Sequence, residues 1–211
     1  MSYAVKEIYF TLQGEGMKVG SPAVFCRFSG CNLWTGLERD RERAVCKFCD
    51  TDFVGTNGIG GGKYMSAAAL SSAVDNTWPH ECSAPRLVVC TGGEPLLQLD
   101  QDLVQAFHGL GYLVAVETNG TLLPPVGIDW ICVSPKAGTE LKCLHGNELK
   151  LVFPQPGLDP EVYEGFDFDN FLLQPMAGVG AEQNMAAAAE YCHSHSGWRL
   201  SLQVHKFANI R

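Results

Sequence analysis

The sequence predicts an α/β fold: parallel strands curled into a partial, incomplete barrel with a reduced set of covering helices. Three observations carry this. Short apolar, β-branched stretches alternate with helical ones, the pattern of a parallel sheet. Buried strands run straight into glycine or polar residues, as at Gly30-Cys31, Thr91-Gly-Gly-Glu94, Glu117-Thr-Asn119, Ser134-Pro-Lys136 and Gln174-Pro-Met176. The segments 118–129 and 134–147 are too short or too broken for full helices. In parallel sheets ligands gather at the carboxyl ends of the strands, so these polar ends predict one shared binding face.

The elements follow in order. Residues 4–13 read as a strand rich in aromatic and β-branched residues (Val5, Ile8, Tyr9, Phe10, Thr11), ending in a turn at Gly14-Glu15-Gly16. Residues 23–29 form the next strand, and Arg27 interrupts its apolar run. An arginine there needs an anionic partner, either a structural carboxylate or a ligand's. Residues 55–63 hold many glycines but fail the phosphate-loop pattern, because Tyr64 follows Lys63 and Asn57 stands at the first glycine position. They read as a flexible surface loop. A helix spans 66–78 with Ser66 as N-cap, and another runs from an Asp100 cap to about 110, ended by Gly111. Strands are expected at 86–90, 112–116, 130–133, 148–153, 171–173 and 198–204, with a short acidic helix near 159–165 and an alanine-rich helix at 181–195.

Composition narrows the function. At 211 residues the chain makes one domain, 1–211, with a real core. A formal net charge of −8 without a long Lys/Arg cluster argues against nucleic acid as the partner. No apolar run is long enough for a membrane span, and no leader is read at Met1-Ser-Tyr-Ala. Nine cysteines without a leader argue against a disulfide framework and for reducing cytoplasm. A small molecule is the expected ligand.

Three cysteines dominate the segment 30–52: Cys31, then a charged run from Glu38 to Arg43, then Cys46-Lys-Phe-Cys49-Asp50. A C-x-x-C brings two thiolates to one metal centre, and a third nearby makes a three-point mount. A structural zinc site wants four protein ligands, whereas a 4Fe–4S cluster on three thiolates keeps one iron open. Cys26 and Cys90 lie in apolar runs that read as core, as does Cys132. On the cysteines alone, open cluster and zinc both stand.

Together the motifs resemble the radical S-adenosylmethionine superfamily, and within it the 7-carboxy-7-deazaguanine synthases of queuosine biosynthesis. The resemblance covers nearly the whole chain. It rests on Thr11-Leu-Gln-Gly-Glu-Gly16, Arg27-Phe-Ser-Gly-Cys31-Asn-Leu, Cys46-Lys-Phe-Cys49-Asp50-Thr51, Thr91-Gly-Gly-Glu-Pro95, Glu117-Thr-Asn-Gly120, Ser134-Pro-Lys136 and Gln203-Val-His205-Lys. One departure is the fourteen residues between Cys31 and Cys46, where the superfamily usually has a short spacer.

The resemblance implies a partial TIM-like barrel of about six parallel strands with few helices, usually a homodimer. It implies a lyase in which a 4Fe–4S cluster on Cys31, Cys46 and Cys49 splits S-adenosylmethionine. The resulting radical takes a hydrogen from C6 of 6-carboxy-5,6,7,8-tetrahydropterin. Ring contraction with loss of ammonia then gives 7-carboxy-7-deazaguanine, and a flavodoxin or ferredoxin supplies the electron. S-adenosylmethionine is expected across Phe48, Cys49, Asp50, Gly93, Glu94, Glu117, Asn119, Ser134, Pro135 and Lys136. Gly93 and Glu94 would receive its amine, and Lys136 could equally be a solvated loop lysine. The pterin is expected at Leu12, Gln13, Gly14, Glu15, Arg27, Thr91, Gln174, His205 and the terminal carboxylate at Arg211. Thr51 is expected to carry Mg²⁺ beside the substrate, a hard cation that takes few protein oxygens and completes its shell with water and substrate. The alternatives are a glycyl-radical activating enzyme of the same superfamily and a zinc-binding interaction module.

Overall fold

The computed structural model describes residues 2–211. One nine-stranded sheet runs through it, in the order β3-β1-β2-β4-β5-β6-β7-β8-β9. β1 (Tyr3–Leu12) and β2 (Pro22–Phe28) form an antiparallel pair, and β3 (Gly62–Tyr64) adds antiparallel to the free edge of β1. From β2 onward every pairing is parallel, through β4 (Leu87–Gly92), β5 (Leu113–Thr118), β6 (Trp130–Val133), β7 (His145–Phe153), β8 (Asp167–Pro175) and β9 (Trp198–Leu200). Six longer parallel strands and the three-residue β9 thus make the curved wall, and β3 and β9 remain its two unjoined edges.

Side-chain alternation divides each strand between an outer core and the barrel interior. Outward residues of β2, β4 and β5 (Cys26, Val88, Cys90, Val114, Val116) pack under α1 (Ala67–Asp75) and α2 (Gln101–Gly109). Leu149, Leu151 and Leu173 of β7 and β8 pack under α3 (Ala181–Ser194) through Ala188. Both expected caps are made: the Ser66 side chain accepts from the Ala69 amide, and Asp100 accepts from the Leu103 amide. Inward residues start apolar, with Tyr9, Phe25, Val89 and Ala115 plugging the bottom. Two residues further on they turn polar, at Arg27, Thr91 and Glu117. The sheet is therefore filled at one end and hollow at the other.

Two expectations change. Residues 55–63 are not a loose loop. The Ile8 amide donates to the Ile59 carbonyl at 2.7 Å and the Gly58 amide to the Lys6 carbonyl at 2.9 Å, so the loop extends the β1 edge before β3 begins. The last strand stops at Leu200 instead of Val204. The Ser201 amide still bonds the Leu173 carbonyl of β8 at 2.8 Å, but the Val204 amide turns to the Gly14 carbonyl at 2.8 Å and opens α4 (Val204–Ala208). That turn carries the end of the chain back toward β1.

Candidate active site

The hollow end of the barrel is a cavity of about 880 Å³. Its walls are the strand ends, its rim is the cysteine segment, and α4 closes one side. Cys31, Cys46 and Cys49 all line it, while Cys26 and Cys90 are wholly buried on the outer face of the sheet. Cys132, expected as core packing, is buried but forms part of the inner wall. Burial pushes the Cys31 thiol up. The hydrogen bond between Cys46 and Cys49 pushes Cys46 well up and draws Cys49 down to about 6. Among the described residues, no three His, Cys, Asp or Glu side chains are gathered closely enough to hold a single metal ion. The three thiols thus share one cavity.

Residues expected around the cofactor divide. Phe48, Cys49, Asp50, Gly93, Glu117, Asn119, Ser134 and Lys136 line the cavity. Glu94 and Pro135 do not: both are buried behind the wall. Glu94 is fully inaccessible, and its carboxylate accepts from the Thr118 hydroxyl at 2.7 Å, the Asn119 amide at 2.8 Å and the Leu96 amide at 3.0 Å. Burial raises its pKa against those hydrogen bonds. Its side chain fixes the ends of β4 and β5 and is shut off from the cavity. Gly93 also has another reason to be glycine. A Cβ there would sit 2.2 Å from the Gly30 carbonyl oxygen and 2.7 Å from the Cys31 Cβ. The missing side chain makes room for the start of the cysteine segment. Lys136 is not a solvated lysine: its ammonium donates to the Ser134 hydroxyl at 2.7 Å and faces the cavity, and burial lowers its pKa. Asp50 is held from outside by Lys206 of α4 at 2.9 Å.

Expected pterin residues cluster deeper. Arg27 has a structural partner: its Nε donates to Glu7 at 2.9 Å and one terminal nitrogen donates to the Tyr9 hydroxyl at 2.9 Å. Its other terminal nitrogen meets no protein acceptor among the described residues. Both readings of Arg27 therefore coexist, an ion pair on one edge and an open donor on the other. Arg211 joins the same cluster through its side chain, which donates to Glu7 at 2.7 Å and lies over the Tyr9 ring. Its main-chain oxygen accepts from the Thr11 hydroxyl at 2.8 Å. His205 packs against Gly14 so closely that a Cβ on Gly14 would fall 2.3 Å from its Nδ1. Leu12 and Thr91 lie on the same surface, and Gln174 is buried there with an Oε1 that has no hydrogen-bond partner. Thr51 lines the cavity beside the cysteine turn.

The structure adds one residue to those the sequence points to. Lys150, on β7, is buried in the cavity wall and paired with Glu15. Glu15 also accepts from the Gln203 amide at 2.9 Å, and Gln13 donates to Glu117 at 3.0 Å. Burial alone would raise Glu15, but the Lys150 charge and its hydrogen bonds bring it down to about 2. Burial works against the Lys150 ammonium, yet Glu15 and Glu117 hold its pKa well above the ordinary value. The signal was present in the sequence: Leu149-Lys150-Leu151-Val152 interrupts an apolar strand with a cation, as Arg27 does. The cavity therefore has a thiol-lined rim and a floor of ionised, mutually neutralising groups.

Known proteins bear on this geometry. No family model matches the chain. Two curated relatives align over the full length of both partners: 7-carboxy-7-deazaguanine synthase of Bordetella pertussis at 57% identity and that of Burkholderia multivorans at 56%. The same name is carried by a Bacteroides thetaiotaomicron protein at 36% identity, again over the full length of both. The crystal structure of QueE from Escherichia coli superposes with a TM-score of 0.74 at 27% identity, covering 97% of this chain and 95% of that one. Full-length identity of this order, on a fold shared with a solved member, settles the lineage: the chain belongs to the 7-carboxy-7-deazaguanine synthase family.

Proposed function

We infer that this chain is a 7-carboxy-7-deazaguanine synthase of queuosine biosynthesis, contracting the ring of 6-carboxy-5,6,7,8-tetrahydropterin with loss of ammonia. The observation that carries it is the two-part cavity, with three thiols at the rim and a polar floor below. Full-length relatives that share one enzyme name displace the zinc-binding module and the glycyl-radical activating enzyme.

Within that reading the chain is a radical S-adenosylmethionine enzyme. Cys31, Cys46 and Cys49 would hold a 4Fe–4S cluster, and the absence of a fourth cysteine from the rim leaves one iron free. Cluster and S-adenosylmethionine together would supply the radical that starts the reaction. The protein's part is binding and orientation. Ser134, Lys136 and Asn119 line the wall next to the cysteines and would hold the cofactor's polar groups, with main-chain contacts at Phe48, Cys49, Asp50 and Gly93. The open edge of Arg27 would take the substrate carboxylate, since a guanidinium offers a planar fork to such a group. Gln13, Glu15, Glu117 and Gln174 would meet the pyrimidine edge, where the unpartnered Gln174 Oε1 awaits a donor. Leu12, Gly14, Thr91, His205 and Arg211 would complete this pocket.

Mg²⁺ is proposed at Thr51, which lines the cavity and, among the described residues, stands in no cluster of three carboxylates. Such an ion would take most of its oxygens from water and the substrate carboxylate. The flavodoxin or ferredoxin reductant and the homodimer rest on the family resemblance. Residence in reducing cytoplasm is in keeping with nine free thiols and with a structure in which no helix is long and apolar enough to cross a membrane. The test is an anaerobic assay of the reconstituted protein with the carboxylated tetrahydropterin, S-adenosylmethionine and a reductant, with and without Mg²⁺. Formation of the deazaguanine acid that depends on all three establishes the reading. Full cluster loading without product overturns it.

A further inference from the structure

The charged run inside the cysteine segment has no place in the site so far, yet one of its residues is built into the fold. Residues 46–51 belong to no helix or strand, so their carbonyls have no ladder to bond to. Arg41 supplies the missing donors. One terminal nitrogen donates to the Lys47 carbonyl at 2.9 Å and to the Cys49 carbonyl at 3.0 Å. Its Nε donates to Glu38 at 2.7 Å, and its second terminal nitrogen meets the other Glu38 oxygen. The face of the guanidinium lies 4.0 Å from the Trp34 ring centroid. Trp34 is itself buried edge-on against Phe53, with centroids 5.6 Å apart. The neighbouring Arg39 has a side chain 79% exposed, against 27% for Arg41. Most of the run is thus a solvated face, with Asp40 accepting from Thr35, while Arg41 folds inward and ties the inserted residues to the turn that carries two of the three cysteines.

We propose that Arg41 is a positioning residue for the iron–sulfur centre: a guanidinium clip, carried by the insertion between Cys31 and Cys46, that fixes the spacing of Cys46 and Cys49. This rests on the reading of the three cysteines as cluster ligands. The clip needs the planar fork. A lysine ammonium is a point charge and cannot bond two carbonyls and a carboxylate while stacking on an indole. The insertion thereby does the work that a short spacer does by its brevity.

The test compares wild type, Arg41→Lys, Arg41→Gln and, as a control, Arg39→Gln, each reconstituted anaerobically as the full chain. Iron and sulfide per chain, the rate of absorbance loss under an iron chelator, and the EPR signal of the reduced cluster are read. The thermal melt of each cluster-free chain monitors folding. Arg41→Lys and Arg41→Gln should release the cluster at least tenfold faster than wild type and broaden its EPR signal, while Arg39→Gln matches wild type on every readout. The cluster-free melts should stay alike. Wild-type release rates and line shape in Arg41→Lys would overturn the clip by showing that charge alone suffices, and so would equal effects in Arg39→Gln. Should Arg41→Gln fail to fold, Arg41→Lys decides. A wild-type chain that takes up no iron or sulfide would instead defeat the cluster reading itself.

Discussion

Replacing Lys150 by Met removes the ammonium paired with Glu15 in the floor of the cavity. The two side chains are only 6% and 16% exposed, so solvent screens their attraction weakly. Glu15 is held at about 2 against an ordinary 4.5. At about 1.4 kcal/mol per pH unit, that difference corresponds to stabilisation on the order of 3 kcal/mol at neutral pH. The same size follows from the general cost of breaking a buried pair, about 3–5 kcal/mol. The sign of the pH dependence then separates pairing from packing. In wild type the depressed Glu15 stabilises fully above about 4.5, and the contribution is lost as pH falls through 4.5 toward 2. In Lys150→Met the uncompensated Glu15 is raised by burial and protonates more readily in the folded chain, so the variant's deficit should shrink as pH falls from neutral toward 5. Urea unfolding of the cluster-free chain at several pH values measures this, with Glu15→Gln and the double variant closing a cycle. The double variant should recover much of the loss. A deficit under about 1 kcal/mol at neutral pH, or one that Glu15→Gln leaves unchanged, would refute the ion-pair account.

Other variants test the remaining assignments. Arg27→Lys keeps the charge but loses the fork, so KM for the carboxylated pterin should rise at least tenfold with S-adenosylmethionine binding unchanged; a wild-type KM would leave Arg27 with its Glu7 pair alone. Cys31→Ala should abolish the cluster's visible absorbance, while Cys90→Ala, on the outer face, should keep it. Gly93→Ala should already lower cluster content, because the added Cβ meets the Gly30 carbonyl and Cys31; full loading would contradict that close approach. Thr51→Val should lose activation by Mg²⁺ with its cluster intact, and undiminished activation would place the ion elsewhere.

Strand positions were legible because each parallel strand is a short apolar run that stops at its functional end. Residues 130–133, both helix caps and the start of the alanine-rich helix coincide with the structure for that reason. β7 and β8 start earlier than expected, at His145 and Asp167, because their first residues pair through the main chain and need no apolar pattern. The misread end of β9 has a similar origin. Trp198 to Val204 alternates like a strand, but Ser201 bonds the Gly16 amide through its hydroxyl and the chain then turns away from β8. In the sequence Glu94 looks available to a ligand because it is a carboxylate beside two glycines, and only the fold shows three protein donors already upon it. Lys150 was missed because its partner lies 135 residues away in the chain.

The seam between β1 and residues 203–211 is made of contacts between residues far apart in sequence. The Thr11–Arg211 hydrogen bond joins residues 200 apart, the Arg211–Glu7 bond 204, and the Gln203–Glu15 bond 188. Contacts of such separation require nearly the whole loop to be closed before they are rewarded, so they belong to the late, slow part of assembly. The β1–β2 hairpin and the helices against it form from far more local contacts. A chain halted partway has the cysteine segment and most of the wall but lacks Gln203, His205 and the Arg211 cover over Tyr9 and Glu7. The pocket proposed for the substrate is therefore completed only by contacts that span most of the chain.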